Sequence, residues 1–393
     1  MSKLSKIVII ANSQMRSDSL SGGDRIFIEL ARHWSKTGQN ICLITCQEGY
    51  EMCQRYDLKN VDYIISSSRH NLPVYLAYFL RILRDIILVL KVNFEGATIY
   101  SSSDFWPDSV PAWLLKMKSK RVKWIAGFYL FASSPFNGAR TYKGKSALKG
   151  LIYYLSQVPI YSLVRKYADK VWVTSEPDRW RFIGNRLSKS KVVAVRGGVD
   201  VKTPACIPEP QSKRFDAVFI GRFHPQKGVL ELIDIWKIVC ANKNNAKLAM
   251  IGVGELENVV ISKIERCGLE QNIVLFGFKD GIEKLKIFKE SRVVVHPAVY
   301  DSGGMAACEA MACGLPGVSF DLPALKSYYQ KGMLKTPCFN LEGFAENILN
   351  LLADEKLYKE TSKDALNWAK EWDWDRQAEK LLDCLKQVNS EYS

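Results

Sequence analysis

The sequence predicts two doubly wound α/β units, each a parallel sheet with helices on both faces. Three observations predict it. Short β-rich apolar runs alternate with stretches of helical periodicity along the 393 residues. A proline-rich break, VKTPACIPEPQSKR from Val201 to Arg214, interrupts that alternation, which then restarts. Several strand-like runs lead through a glycine-bearing loop directly into a helix, the junction at which open parallel sheets hold ligands.

The elements follow in order. KIVIIA, from Lys6, opens the first unit and reads as a strand start rather than a secretory leader. The loop NSQMRSDSLSGG leads into DRIFIELARHWSKTG, apolar at helical spacing, with Gly38 suited to its C-cap. NICLITC, ATIYSS, VKWIAGF, KVWVTS and KVVAVRGG are further strands with helical segments between most of them. After the break, FDAVFI is a strand and GVLELIDIWKIVCAN a helix. KLAMIG, NIVLFG, RVVVHPA and GVSF are strands, and ELENVVISKIERCG is a helix. The tail reads as two helices, DEKLYKETSKDALNWAKEW and DWDRQAEKLLDCLKQV.

Composition narrows the class. The net charge of +14 is uneven: residues 1–200 hold 30 Lys and Arg against 15 Asp and Glu, and the remainder is nearly neutral. Such a field suits an anionic partner, whether nucleic acid, a membrane surface or a phosphate-bearing substrate. The ten cysteines lack CxxC spacing, and the four histidines do not cluster, which fits reduced buried thiols in a cytosolic protein and no metal site. The longest apolar segment, Leu72 to Lys91, carries Arg81, Arg84 and Asp85 near its middle. Those charges argue against a membrane span and for a long helix packed mostly inside the first unit.

Three loops of the second unit carry chemistry. GRFHPQKG, from Gly221, brings Arg222 and Lys227 together before a helix. An arginine fork and a lysine point charge over backbone amides form a diphosphate site. IGVGE, from Ile251, places Gly252 either in a ligand contact or in a plain tight turn. FGFKD offers the backbone at Phe278 to a nucleobase edge. The third loop, HPAVYDSGGMAACEAMACGLP, has Asp301 and Glu309 astride the pair Gly303–Gly304 at a helix start. Glu309 lies in a small, apolar helix, where a carboxylate needs a partner. It can accept two hydrogen bonds from a ribose diol or simply favour the helix dipole.

These residues resemble a family. The second unit is similar to the donor half of GT-B glycosyltransferases, specifically the retaining family 4, the glycosyl transferases group 1. The resemblance rests on GRFHPQKG, on the D-x7-E pattern ahead of AMACGLP, on the turn GGVD at Gly197–Asp200, and on Gly22–Gly23 in the first loop. It implies a GT-B fold with residues 1–208 and the helix 373–393 as an acceptor-binding domain and 209–372 as a donor-binding domain. It implies that Gly221, Arg222 and Lys227 bind the diphosphate of a nucleotide sugar, that Glu309 holds the ribose, and that Asp301 with the backbone of Gly303, Gly304 and Met305 holds the sugar. Gly22 and Gly23 would approach the diphosphate. No bound cofactor or metal is implied, because two cations and a helix dipole balance the leaving group. The chain departs from the pattern in having Asp301 where the family usually has Glu. It also lacks a His in KWIAGFYLFASSPFNG, so the residue facing the anomeric carbon stays open.

On the acceptor side, Asp104 is either an acceptor contact or the cap of the next helix. Residues 139–166 mix basic, aromatic and apolar side chains, as does an interfacial segment on an anionic membrane, or else they pack on the first unit. The expected activity is sugar transfer from a nucleotide sugar to an acceptor glycan or lipid-linked glycan, in the cytoplasm or at its membrane face. The alternative keeps the fold as a catalytically degenerate sugar-nucleotide-binding or partner-binding subunit. A nucleic-acid partner is not expected, since the diphosphate loop lies in the neutral half and no nucleic-acid motif appears.

Overall fold

The computed structural model of the chain describes residues 6–14, 20–68, 74–133, 145–184 and 187–390. It divides into two compact units, one running to Gly197 and taking in Trp374 onward, the other running from Gly198 to Asp373.

In the first unit, β1 (Ile7–Ala11), α1 (Gly22–Lys36), β2 (Ile41–Thr45), α2 (Gln47–Arg55), β3 (Asp62–Ile65) and α3 (Val74–Lys91) are followed by β4 (Thr98–Ser101) and α4 (Trp106–Lys118). Then come β5 (Lys123–Gly127), α5 (Lys145–Tyr167), β6 (Lys170–Val173), α6 (Glu176–Ile183) and β7 (Val192–Ala194). The strands form one parallel sheet in the order β3-β2-β1-β4-β5-β6-β7. Right-handed crossovers put α3 to α6 on one face of that sheet and α1 and α2 on the other. β1, β2 and β5 are buried along their whole length, as strands covered on both faces must be.

The second unit holds α7 (Lys202–Cys206), β8 (Phe215–Ile220), α8 (Val229–Asn242), β9 (Leu248–Ile251), α9 (Glu257–Cys267), β10 (Ile273–Leu275) and α10 (Gly281–Lys289). β11 (Ser291–His296), α11 (Met305–Ala312), β12 (Gly317–Phe320), β13 (Met333–Thr336), α12 (Leu341–Ala353) and α13 (Glu355–Lys370) complete it. Its parallel sheet runs β10-β9-β8-β11-β12-β13. The stretch read as a break, Val201–Arg214, lies in this unit and contains α7. The last helix, α14 (Trp374–Ser390), packs on α1 of the first unit, where the Trp34 indole donates to the Ala378 carbonyl at 2.8 Å.

The two doubly wound units hold as expected, with edge strands β3 and β13 added. One expectation is corrected. The helix read from Leu72 to Lys91 is not mostly inside the unit. Its described part exposes Leu76, Phe79, Leu83, Ile87 and Leu90 along one face, while Arg81 and Asp85 point inward. Arg81 donates to the carbonyls of Asn12 and Gln14 and pairs with Glu48 at 3.1 Å, whereas both Asp85 oxygens are buried without a hydrogen-bond partner among the described residues. No helix among the described residues is long and apolar enough to cross a membrane.

Candidate active site

In each sheet the strand order reverses between two central strands, β1 and β4 in one unit, β8 and β11 in the other. The loops leaving those strands flank the crevice in which doubly wound sheets bind ligands. GRFHPQKG leaves β8, and the loop with Asp301 leaves β11.

The structure ties these two loops of the second unit together. Gly228 has φ +64°, and a Cβ there would lie 1.9 Å from the Pro297 carbonyl oxygen, so only glycine lets the loops close. Val299 N donates to the Gln226 carbonyl at 2.9 Å across the same seam. Lys227 Nζ then reaches Asp301 Oδ2 at 2.5 Å. His296 Nε2 lies 3.3 Å from the same oxygen, and the amides of Ser302 and Gly303 donate to Oδ1 at 2.9 and 3.3 Å. Three donors thus hydrogen-bond to one carboxylate, and the His296 ring lies beside it. Burial alone would raise the Asp301 carboxyl, but the Lys227 ammonium and the His296 contact outweigh it and hold the group well below the usual carboxylate range. Burial, reinforced by Lys227, lowers His296 and keeps it neutral, although Asp301 pulls the other way.

Arg222 is exposed in the same loop, and beside it His224 caps the following turn by accepting from Gln226 N at 3.2 Å. Burial and the Arg222 and Lys227 charges lower His224, so the loop adds no third cation. The IGVGE glycines pack closely on the loop after β8. A Cβ on Gly252 would sit 1.9 Å from the Gly221 carbonyl oxygen, and one on Gly254 would sit 2.4 Å from that of Phe223. These glycines let the loop after β9 lie close against the backbone of Gly221 and Phe223. Phe278 is exposed in the loop after β10, whose Gly277 carbonyl accepts from Gly252 N at 2.8 Å.

Gly303 and Gly304 have a second neighbour that the sequence did not reveal. Cβ atoms there would meet the Tyr328 hydroxyl at 3.0 Å and the Tyr329 hydroxyl at 2.1 Å. The Tyr329 hydroxyl donates to the Gly304 carbonyl at 2.7 Å and pins the start of α11. Gly304 is the N-cap of α11 and provides no side-chain cap. The first-turn amides of Met305 and its neighbours therefore face the loop with the partial positive charge of a helix N-terminus.

Glu309 stands on α11 and receives Lys284 Nζ at 2.9 Å. Lys284 also bridges to Asp280 Oδ1 at 2.7 Å and is itself buried. The partner that a carboxylate in this apolar helix requires is therefore Lys284 on α10. Its spacing of four from Asp280 in DGIEK was the available signal.

In the first unit, Gly22 and Gly23 open α1, and Ser21 and Asp24 form a capping box around them. A Cβ on Gly23 would approach the Tyr129 ring to 3.3 Å, and the Tyr129 hydroxyl is bonded to that of Tyr100. Residues 15–19 of that loop and residues 139–144 of the basic segment lie outside the described residues. Both readings of Asp104 are overturned. Its carboxylate is buried and accepts from Gln157 Nε2 at 2.8 Å and from the Tyr153 hydroxyl at 3.2 Å, so it fastens α5. The N-cap of α4 is Phe105 instead. Burial pushes the Asp104 carboxyl up to about 6.

Comparisons place this geometry among known proteins. Residues 207–368 match the family described as glycosyl transferases group 1. An uncharacterized glycosyltransferase from Methanocaldococcus jannaschii is 36% identical over 101 residues, 26% of this chain and 26% of that protein. Poly(glycerol-phosphate) alpha-glucosyltransferase from Bacillus subtilis is 24% identical over 172 residues, 43% of this chain and 25% of that protein. The chain thus spans about a quarter of the length of these relatives. The crystal structure of HepE from Anabaena in complex with UDP and glucose superimposes with a TM-score of 0.73 at 15% identity, covering 97% of this chain and 99% of that one. The fold is that of GT-B proteins, and the second unit matches the glycosyl transferases group 1 family over residues 207–368.

Proposed function

We propose that the chain is a glycosyltransferase that moves a sugar from a nucleoside-diphosphate sugar to an acceptor glycan carried on a lipid, with retention at the anomeric carbon. The observation that carries this reading is the Lys227–Asp301–His296 cluster, which joins the two switch-point loops of the second unit. Asp301 holds the Lys227 ammonium at the loop, and with Arg222 it forms a doubly cationic seat for a diphosphate. The backbone at Gly303, Gly304 and Met305 adds the uncapped amides of α11 as the leaving group gains charge. Glu309, held by Lys284, accepts the ribose hydroxyls, and Phe278 borders the base.

HepE was crystallised in complex with UDP and glucose, which makes UDP-linked hexoses the first donors to try. The Bacillus relative's name makes a poly(glycerol-phosphate) chain one acceptor class to try. The reaction belongs to the cytoplasmic side, where nucleotide sugars are made.

The test is thermal stabilisation by a panel of nucleotide sugars and free nucleotides. Wild type is compared with Glu309→Ala, Lys227→Ala and the exposed-site variant Arg222→Ala. A shift confined to one nucleotide series, reduced in all three variants, is the expected result, followed by sugar transfer from that donor. No shift with any nucleotide sinks the donor site. A shift without turnover on any acceptor favours a binding subunit of the same fold.

A further inference from the structure

We infer that the first unit docks on an anionic lipid surface through the sheet face covered by α3, α4, α5 and α6. The observation is an asymmetry in exposed apolar side chains. Leu76, Phe79, Leu83, Ile87 and Leu90 line the outer face of α3 at helical spacing. Leu148, Ile152, Leu155 and Val158 do the same on α5. Phe105 stands between these helices, against Tyr153 of α5, and its neighbour Trp106 donates its backbone N–H to the Tyr78 hydroxyl of α3 at 3.0 Å. Met117 on α4 and Trp180 on α6 extend the same face. Helices α1, α2 and α14 have no comparably exposed large apolar side chain among the described residues. A soluble surface rarely gathers so many exposed apolar side chains on one face unless something covers them.

Charge selects the occupant. The sequences of α3, α4 and α5 hold nine Lys and Arg and only two acids, Asp85 and Asp108, both buried. Arg84, Lys91, Lys118, Lys166, Arg181 and Lys189 are exposed on or beside this face. Its most solvent-reaching acids, Glu95 and Glu176, each pair with an arginine, at 3.1 and 3.3 Å. Trp180 lies under the Lys189 ammonium, 5.6 Å from its ring centroid, an aromatic flanked by cations as at membrane–water interfaces. A second copy meeting this face through a two-fold axis would set cation against cation. An anionic bilayer offers acyl chains to the apolar stripes and headgroup phosphates to the cations. Exposure and charge carry the docking face independently of the transfer reaction.

The test is co-sedimentation of the full chain with vesicles of phosphatidylcholine alone and of phosphatidylcholine with phosphatidylglycerol. Variants are the pairs Phe79→Ser/Ile87→Ser and Ile152→Ser/Leu155→Ser, and the charge pair Arg84→Glu/Lys91→Glu. The altered side chains are exposed, so an unchanged melting temperature confirms that each variant is folded. Wild type should sediment with the anionic vesicles at low salt, less with neutral ones, and be released by high salt. Each apolar pair should lower partitioning about tenfold, and the charge pair should weaken anionic binding selectively. Absence of anionic-vesicle binding, or binding indifferent to both apolar pairs, overturns the inference. So does a wild-type dimer in sedimentation velocity that the apolar pairs dissociate, for then a second copy covers the face.

Discussion

Asp301 is the residue on which the candidate site turns. Its carboxylate is ionised because Lys227 and His296 outweigh its burial. A group held below its unfolded value contributes stability above that value and loses it as pH falls through the folded one, so Asp301 protects against acid down to well under the ordinary carboxylate range. Asp301→Asn keeps the size and removes the charge. We expect it to lower kcat/KM for the donor by about a hundredfold, since Lys227 is no longer fixed. Asp301→Glu should recover part of that loss, and steady-state kinetics check both. In the first unit Asp85 behaves oppositely: burial, with Asp108 adding to it, pushes its carboxyl up to about 7 against Ser66 and Arg81. A raised acid costs stability as pH climbs from about 4 to about 7, because the fold favours its neutral form. Asp85→Asn should therefore raise stability at pH 8 on the order of 2 kcal/mol and leave pH 4 nearly unchanged, measured by thermal melts at both values. Arg81 and Asp85 were visible in the sequence as an interruption of an apolar run. Which way they faced was not, because helical spacing gives a stripe but not the side on which the sheet lies.

At the scale of elements, the junction from β8 to α8 was legible because it coincides with a turn chemistry that only glycine supplies, at Gly228. Gly252 shows the limit of that legibility. Its φ of +145° and its contact with Gly221 come from two strands meeting side by side, which a local motif does not encode. Gly252→Ala forces a Cβ into the Gly221 carbonyl and an unfavourable backbone conformation at once. We expect a loss of about 2–4 kcal/mol in stability and weaker nucleotide binding, read by denaturant unfolding and thermal shift. The strands β3 and β13 escaped the sequence reading for a related reason. Both are four-residue edge strands with mixed burial, DYII and MLKT, so neither shows a continuous apolar run or a clean alternation. Lys284 escaped because its partner Glu309 sits on another element, α11, although Asp280 lies four residues before it at the cap of its own helix. Lys284→Met should raise KM for the donor about tenfold while leaving kcat within a few-fold, the pattern of a group that positions Glu309 rather than one that reacts.

At the scale of the whole molecule, the division of the chain is not its order in sequence. The last helix, α14, belongs to the unit built by the first half of the chain. Periodicity alone predicted a helix there, but its place came only from the family resemblance, since nothing local tells a C-terminal helix which sheet it covers. Its apolar side chains show how much that return matters. Leu381, Leu382, Leu385 and Val388 are each at most 2% exposed, and Ala378 accepts the Trp34 indole proton through its carbonyl. At about 1.5–3 kcal/mol for each large side chain taken out of water, removing the four withdraws at least about 6 kcal/mol from the first unit. That is comparable to the whole stability of an ordinary domain. The same deletion leaves α13 and the rest of the second unit intact. Truncation before Trp374 should therefore unfold the first unit selectively. Tryptophan fluorescence would report it, because Trp34, Trp124 and Trp172 are buried in that unit and Trp236 and Trp372 in the other. The expected trace has lost one cooperative transition and kept the nucleotide-stabilised one. If both units survive the cut, α14 covers the first unit without supporting it; if both unfold, their stabilities are coupled.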